Sequence, residues 1–164
     1  MSFLLTKALP MAVLGLSTNT RLLGLAIIKR GVLAEYGIRL FKTSWSPSKA
    51  TRIITSLEPC VREHCIKKVV LSIPHGYHQT DGFKALHLRL CRYFERKGIP
   101  VICVSPEHVL SLCLDGDKKG KKALMKSLCD KFPELLYCHR KELRNKNKYY
   151  IKLFEAVAAA TLHS

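Results

Sequence analysis

The chain has 164 residues and 48% hydrophobic residues, enough to bury a core and too many for a disordered segment. It carries 28 Lys and Arg against 12 Asp and Glu, a formal net charge of +16. A field of that sign attracts polyanions, nucleic acid first among them and an anionic membrane surface too, with a soluble protein that is simply basic as the bland alternative. Seven cysteines contain no CxxC pair, which leaves a zinc ribbon without its spacing. Most lie among apolar neighbours, as Cys91 does in LRLCRYF and Cys103 in VICV. They read as buried free thiols of a reducing compartment, so a cytoplasmic location is expected.

The N-terminal apolar run is interrupted by Lys7 and Pro10, and no stretch reaches the roughly 18 apolar residues of a membrane span. Met11 to Leu16 and Leu22 to Ile28 are instead short apolar runs of strand length, joined by the polar turn Ser17 to Arg21. Lys29-Arg30-Gly31 makes a second turn, and Val32 to Phe41 is a third strand. Ser46-Pro47 starts a helix running to about Cys65, with Ala50, Ile53, Leu57 and Val61 at helical spacing and Pro59 set to kink or split it. Trp45 before it reads as a hydrophobic staple. Val69 to Ile73 is a buried-type strand, and Pro74 to Gly82 a loop of turn formers.

Phe83 to Lys97 is an amphipathic helix with Phe83, Leu86, Leu90 and Phe94 on one stripe, stopped by Gly98. Ile99 to Val104 is a fifth strand. Helices follow over Pro106 to Leu112, Lys118 to Lys131 and Tyr149 to Leu162. The order β-β-β-α-β-α-β-α predicts one α/β domain over residues 1–164. Its mixed five-stranded sheet would be antiparallel at one side, parallel at the other and covered by helices.

Several segments together resemble a known family. VLGLSTNTRLLGLAIIKRG is similar to the opening of RuvC-type resolvases, where a strand ends in Asp and a short loop leads to a second strand beginning with Gly. KKVVLSIPHG resembles the fourth strand of the RuvC and YqgF proteins, and KLFEAVAAATLH the closing helix. The stretch from Ile99 to Leu135 resembles a strand, a loop with Gly and Lys, and a helix. The resemblance spans residues 11 to 163 and implies the ribonuclease H-like fold. It also implies a Holliday junction resolvase-like endonuclease that holds two divalent metals, Mg²⁺ or Mn²⁺, between clustered carboxylates, because hard cations require anionic oxygens. RuvC-type relatives are often dimers, so a homodimer is an expectation.

The departures are as informative. Ser17 stands where the first acid is expected, and Ser72, or nearby Pro74, where the fourth-strand acid is expected. Glu155 remains on the closing helix, and Glu107 in SPEH fits the second acid of the YqgF pattern. A hydroxyl cannot offset the charge of a divalent cation, so a catalytically degenerate, nucleic-acid-binding member is expected, with no cofactor. An active Mg²⁺- or Mn²⁺-dependent nuclease using Glu155 and Glu107 is the alternative, and a protein-interaction scaffold that kept only the fold is another.

Residues 115 to 152 hold twelve Lys and Arg and five acids, a net of +7. Lys118, Lys119, Lys121, Lys122, Lys126, Arg144, Lys146 and Lys148 are the candidate phosphate contacts, with Tyr137, Tyr149 and Tyr150 interleaved as stacking platforms. The bland alternative is a solvated helix face with core tyrosines. DGDKKGKK lacks the order of a P-loop, and Asp115 and Asp117 read as a loop or helix start rather than a cation site. Thr18, Asn19 and Arg21 in the first turn are further phosphate candidates beside Thr20, set against a plain turn. His75 and His78 follow the fourth strand, where open α/β sheets place their sites. With Tyr77, Gln79 and Asp81 they are substrate-facing candidates, or simply polar loop residues. DNA is expected over RNA as partner, and no membrane.

Overall fold

The computed structural model describes residues 11–113, 118–146 and 148–164. Five strands form one sheet in the order β3-β2-β1-β4-β5. β1 (Ala12–Thr18), β2 (Leu22–Lys29) and β3 (Val32–Leu40) make the antiparallel meander. Arg30 and Gly31 both sit at positive φ, 52° and 73°, which closes β2 onto β3 in a tight two-residue turn. β4 (Ile66–Ser72) adds parallel to β1, and β5 (Val101–Val104) parallel to β4. The expected mixed sheet is therefore present. β4 starts three residues earlier than hydrophobicity implies, since Lys67 and Lys68 lie inside it and Lys68 Nζ donates to the His163 carbonyl at 2.9 Å. β5 starts two residues later, at Val101.

Both faces are covered, which is why β1 is buried at every residue. On one face Leu14, Leu16, Leu25 and Ile27 meet α1 (Pro47–Thr55), α2 (Glu58–Glu63) and α3 (Asp81–Arg96). The expected break near Pro59 is a full split: α1 ends at Thr55, and Pro59 lies in the first turn of α2. The Thr80 hydroxyl accepts from the Phe83 N–H at 3.1 Å and caps α3, and Gly98 at φ 70° follows its end. Trp45 packs into this cluster, as a staple would, and not out toward a ligand.

On the other face Val13, Ala26, Val70 and Val104 meet α4 (Pro106–Leu110), α5 (Lys121–Lys131), α6 (Leu136–Arg144) and α7 (Ile151–Leu162). α7 lies directly on the strands because two of their residues have no side chain. A Cβ on Gly15 would stand 2.0 Å from the Ala156 carbonyl oxygen, and one on Gly24 2.1 Å from that of Lys152. The alanines Ala156, Ala158, Ala159 and Ala160 complete the close approach and are fully buried.

α6 is absent from the sequence expectation. It serves α7: Glu142 is 2% exposed, and its two carboxylate oxygens accept from the Tyr149 N–H at 3.0 Å and the Ile151 N–H at 2.8 Å. A carboxylate here satisfies orphan amides and faces the positive end of the helix dipole. We expect Glu142→Ala to lower unfolding free energy by about 2–3 kcal/mol, since it deletes two charge-assisted hydrogen bonds at a buried helix start. Chemical denaturation measures this, and a change under about 0.5 kcal/mol, the range of an ordinary surface substitution, would refute the capping role.

Cys60, Cys113, Cys129 and Cys138 are buried as expected, but Cys103 is exposed on the edge strand β5 and Cys91 is half-buried. No described helix is long and apolar enough to cross a membrane.

Candidate nucleic-acid interface

β1, β4 and β5 run parallel, so their carboxyl ends open on one side, and a cleft of about 600 Å³ lies there. The turn after β1 supplies Thr18, Asn19, Thr20 and Arg21, and the loop after β4 supplies Pro74, His75, His78 and Thr80. α5 contributes Lys121, α7 contributes Lys152 and Glu155, and Phe83, Val109, Leu110 and Leu124 form an apolar floor.

Ser17 and Ser72 are buried beneath this cleft and are direct partners in the β1–β4 register. The two positions at which the resemblance implies acids are thus adjacent. Above them, Glu155 Oε1 accepts from the Ser17 hydroxyl at 3.4 Å and from Lys152 Nζ at 3.2 Å. Lys152 and Glu155 are one helical turn apart on α7, and the glycine contacts of β1 and β2 press that turn onto the sheet. Lys152 is one of four residues of the basic cluster, with Lys131, Arg140 and Lys141, that the sequence reading leaves unassigned. Its spacing of three from Glu155 is the signal that finds it.

Glu107 does not join Glu155. It lies in the first turn of α4, beside a neighbouring recess of about 440 Å³, with Oε1 3.8 Å from His75 Nε2. A backbone N–H at the helix start, then the Ser105 hydroxyl, then His75 and His108, hold its carboxyl below the usual carboxylate range. The candidate acids are therefore split between two recesses.

This donor set does not fit a pair of divalent cations. Among the described residues the cleft offers one carboxylate, and an ammonium group already rests on it. Among the described residues no three His, Cys, Asp or Glu side chains come together as a metal group. Asp81 opens α3 next to its cap, while Asp115 and Asp117 lie outside the described residues.

The remaining candidates sort by geometry. Thr18 Oγ1 donates to the carbonyls of Asn19 and Leu22 at 2.7 and 2.8 Å. Asn19 Oδ1 accepts from the N–H groups of Arg21 and Leu22 at 2.8 and 2.6 Å. Both side chains thus build the turn, and Arg21 is the exposed cation they present. His75 stacks on Tyr77 with ring centroids 5.2 Å apart, and Tyr77 is 80% exposed at the mouth of the loop. Gln79 is turned inward, donating to the Pro74 carbonyl at 3.0 Å.

Lys118, Lys119, Lys122, Lys126, Arg144, Lys146 and Lys148 are exposed, and Lys121 joins them to the cleft. Tyr137 is 64% exposed beneath Lys141, whereas Tyr149 and Tyr150 pack edge to face and are half-buried. Of the three interleaved tyrosines, Tyr137 is the one with an open face.

No family model and no curated protein matches the chain. Solved structures do. A Thermus thermophilus RuvC in complex with a Holliday junction substrate superposes with a TM-score of 0.69 at 16% identity, over 93% of this chain and 92% of that one. A second Thermus thermophilus RuvC structure gives 0.64 at 17% identity, over 93% of each chain. With the strand order, the two covered faces and the cleft at the carboxyl ends, these matches establish that the chain has the RuvC-type, ribonuclease H-like fold.

Proposed function

We propose that this chain is a nucleic-acid-binding RuvC-like domain that has given up metal-dependent cleavage and grips the phosphate backbone of DNA, branched DNA included. The observation that carries this reading is the Lys152 ammonium 3.2 Å from Glu155, the one carboxylate of the cleft among the described residues. A fixed internal cation there offsets the charge that would otherwise recruit a metal. Arg21, Lys121 and the exposed lysines of α5 then leave the cleft mouth positive, which suits a phosphate chain. Point charges read no bases, so binding with little sequence preference follows. The RuvC matched here was solved on a Holliday junction, which makes branched DNA the first substrate to test. The free thiols fit work in a reducing compartment such as the cytoplasm.

The test is fluorescence anisotropy with a labelled four-way DNA junction, a matched duplex and a matched RNA, each with and without Mg²⁺ or Mn²⁺. The junction and duplex should bind, and affinity should fall about a thousandfold or more between about 50 and 200 mM salt if six or more phosphates are contacted. Arg21→Glu with Lys121→Glu should weaken binding at least tenfold. Metal-dependent cutting would overturn the degenerate reading and return Glu155 and Glu107 to catalysis. Absence of binding to all three probes would leave the scaffold reading standing.

A further inference from the structure

We propose that the groove between α1 and α3 is a second phosphate-binding site, in which Arg89, Arg92 and Arg96 hold a nucleic-acid strand separate from the one in the cleft. The groove has a volume of about 490 Å³ and shares no lining residue with the cleft. Arg89, Arg92 and Arg96 recur at helical spacing, so all three project from one exposed face of α3. None of them makes an ion pair among the described residues.

The acid in the groove, Glu58, is engaged elsewhere. It accepts from the Tyr93 hydroxyl at 2.6 Å and from Lys97 Nζ at 2.9 Å. Those two contacts, Tyr93's first, hold its carboxyl below the usual range, so it stays ionised and occupied. Three guanidinium groups therefore face solvent without an ion pair across from the Thr55 hydroxyl of α1, while the Thr51 hydroxyl already donates to the Pro47 carbonyl at 3.2 Å. Guanidinium forks beside a neutral hydroxyl donor form the usual donor set for phosphate oxygens.

The length fits a polymer. From Arg89 to Arg96 the helix rises about 10 Å, about three nucleotide steps of a duplex strand. A free phosphate would use one fork and leave the others unmatched. A second copy of this chain docked through α3 would set guanidinium against guanidinium, which disfavours it. The site also lies away from the cleft: Phe83 is the α3 residue that lines the cleft, and Arg89 is about 9 Å further along the helix and Arg96 about 20 Å. A chain with two such sites would hold two segments of a folded or branched nucleic acid at once.

The test uses the full chain, a labelled DNA duplex and a poly-glutamate peptide. In the wild type, duplex should protect Arg89, Arg92 and Arg96 from phenylglyoxal, read peptide by peptide by mass spectrometry. The Arg21→Glu, Lys121→Glu variant should retain weak duplex binding and this protection. Adding Arg89→Glu, Arg92→Glu and Arg96→Glu should abolish the remaining binding. In the wild-type background the three changes should flatten the slope of log affinity against log salt by about 2 to 3, one contact each. The three Arg→Lys replacements should keep most of that slope, which a folding defect would not allow.

Protection by poly-glutamate but not by duplex would overturn the proposal in favour of an acidic protein partner. Absence of protection by either would overturn it outright. If the cleft variant loses all binding and the arginines stay reactive, the cleft reading stands and the second site falls. Full binding by the cleft variant that the arginine changes abolish would do the reverse.

Discussion

Replacing Gly24 by alanine is expected to lower the melting temperature by about 6–12 °C. The added methyl group would stand 2.1 Å from the Lys152 carbonyl oxygen and 2.6 Å from the Leu153 nitrogen. These are backbone atoms of α7, so no side chain can rotate aside. Either β2 or the helix must shift, and overpacking of that kind costs about 3 kcal/mol or more. For a chain of this length each kcal/mol is worth about 2–4 °C. The same shift lifts Glu155 off Ser17 and displaces its partner Lys152, so the DNA binding proposed for the cleft should weaken along with stability. Gly37→Ala is the control: it lies on β3, and a Cβ there would meet nothing within 4 Å. Calorimetry on the two variants decides the matter. A Gly24→Ala protein melting within about 2 °C of the Gly37→Ala protein would show that α7 does not depend on this contact.

The second large effect concerns the cation in the cleft. Ser17→Asp combined with Lys152→Asp would place two new carboxylates beside Glu155, one from the buried end of β1 and one from a turn away on α7. Without metal the three like charges should repel and destabilise the protein. With Mn²⁺ at about a hundredfold its dissociation constant, binding should restore about 2.7 kcal/mol. That corresponds to a rise of about 5–11 °C in melting temperature. The wild type should not respond to Mn²⁺, because Lys152 already occupies the position of the charge. Titration calorimetry would give the stoichiometry. A wild-type protein that binds Mn²⁺ with its Glu155 intact, or a double variant indifferent to it, would contradict this account of the cleft.

What the sequence discloses tracks how locally each feature is encoded. The three opening strands are short apolar runs separated by turn formers, and α3 carries a four-residue apolar stripe with a threonine cap and a terminal glycine. Such features need only their neighbours to be read. α6 is hidden because its inward face is built around Cys138 and a glutamate, and charges surround it. Periodicity of apolar residues cannot find a helix whose most buried polar group is a carboxylate that caps another helix. Lys67 and Lys68 conceal the start of β4 for a similar reason: the Lys68 ammonium satisfies the end of α7, a partner 95 residues away.

The site was legible in part. Ser17, Ser72, Arg21, His75, His78, Lys121 and Glu155 gather at one end of the sheet, as strand ends in an α/β fold imply. The separation of Glu107 from Glu155 depends on how α4 leaves β5, which spacing does not encode. Thr18 spends its hydroxyl proton in shaping the turn, whereas Asn19 gives the turn only its Oδ1, which leaves its amide hydrogens for a phosphate in the cleft it lines.

The contact between Ser17 and Glu155 joins residues 138 apart in the chain, and that separation governs when the cleft comes into being. The β1-β2-β3 meander is made of neighbours and can assemble early, with its second turn already tight. Pairing of β1 with β4 requires closure of a loop of about fifty residues, and α7 docks only after all five strands and the six helices α1–α6 have been made. Until then Gly15 and Gly24 leave bare backbone on one face of the sheet, and Val13, Ala26 and Ile28 stand uncovered around it. A chain truncated before Ile151 would hence carry all five strands and an open, adhesive sheet, but no cleft.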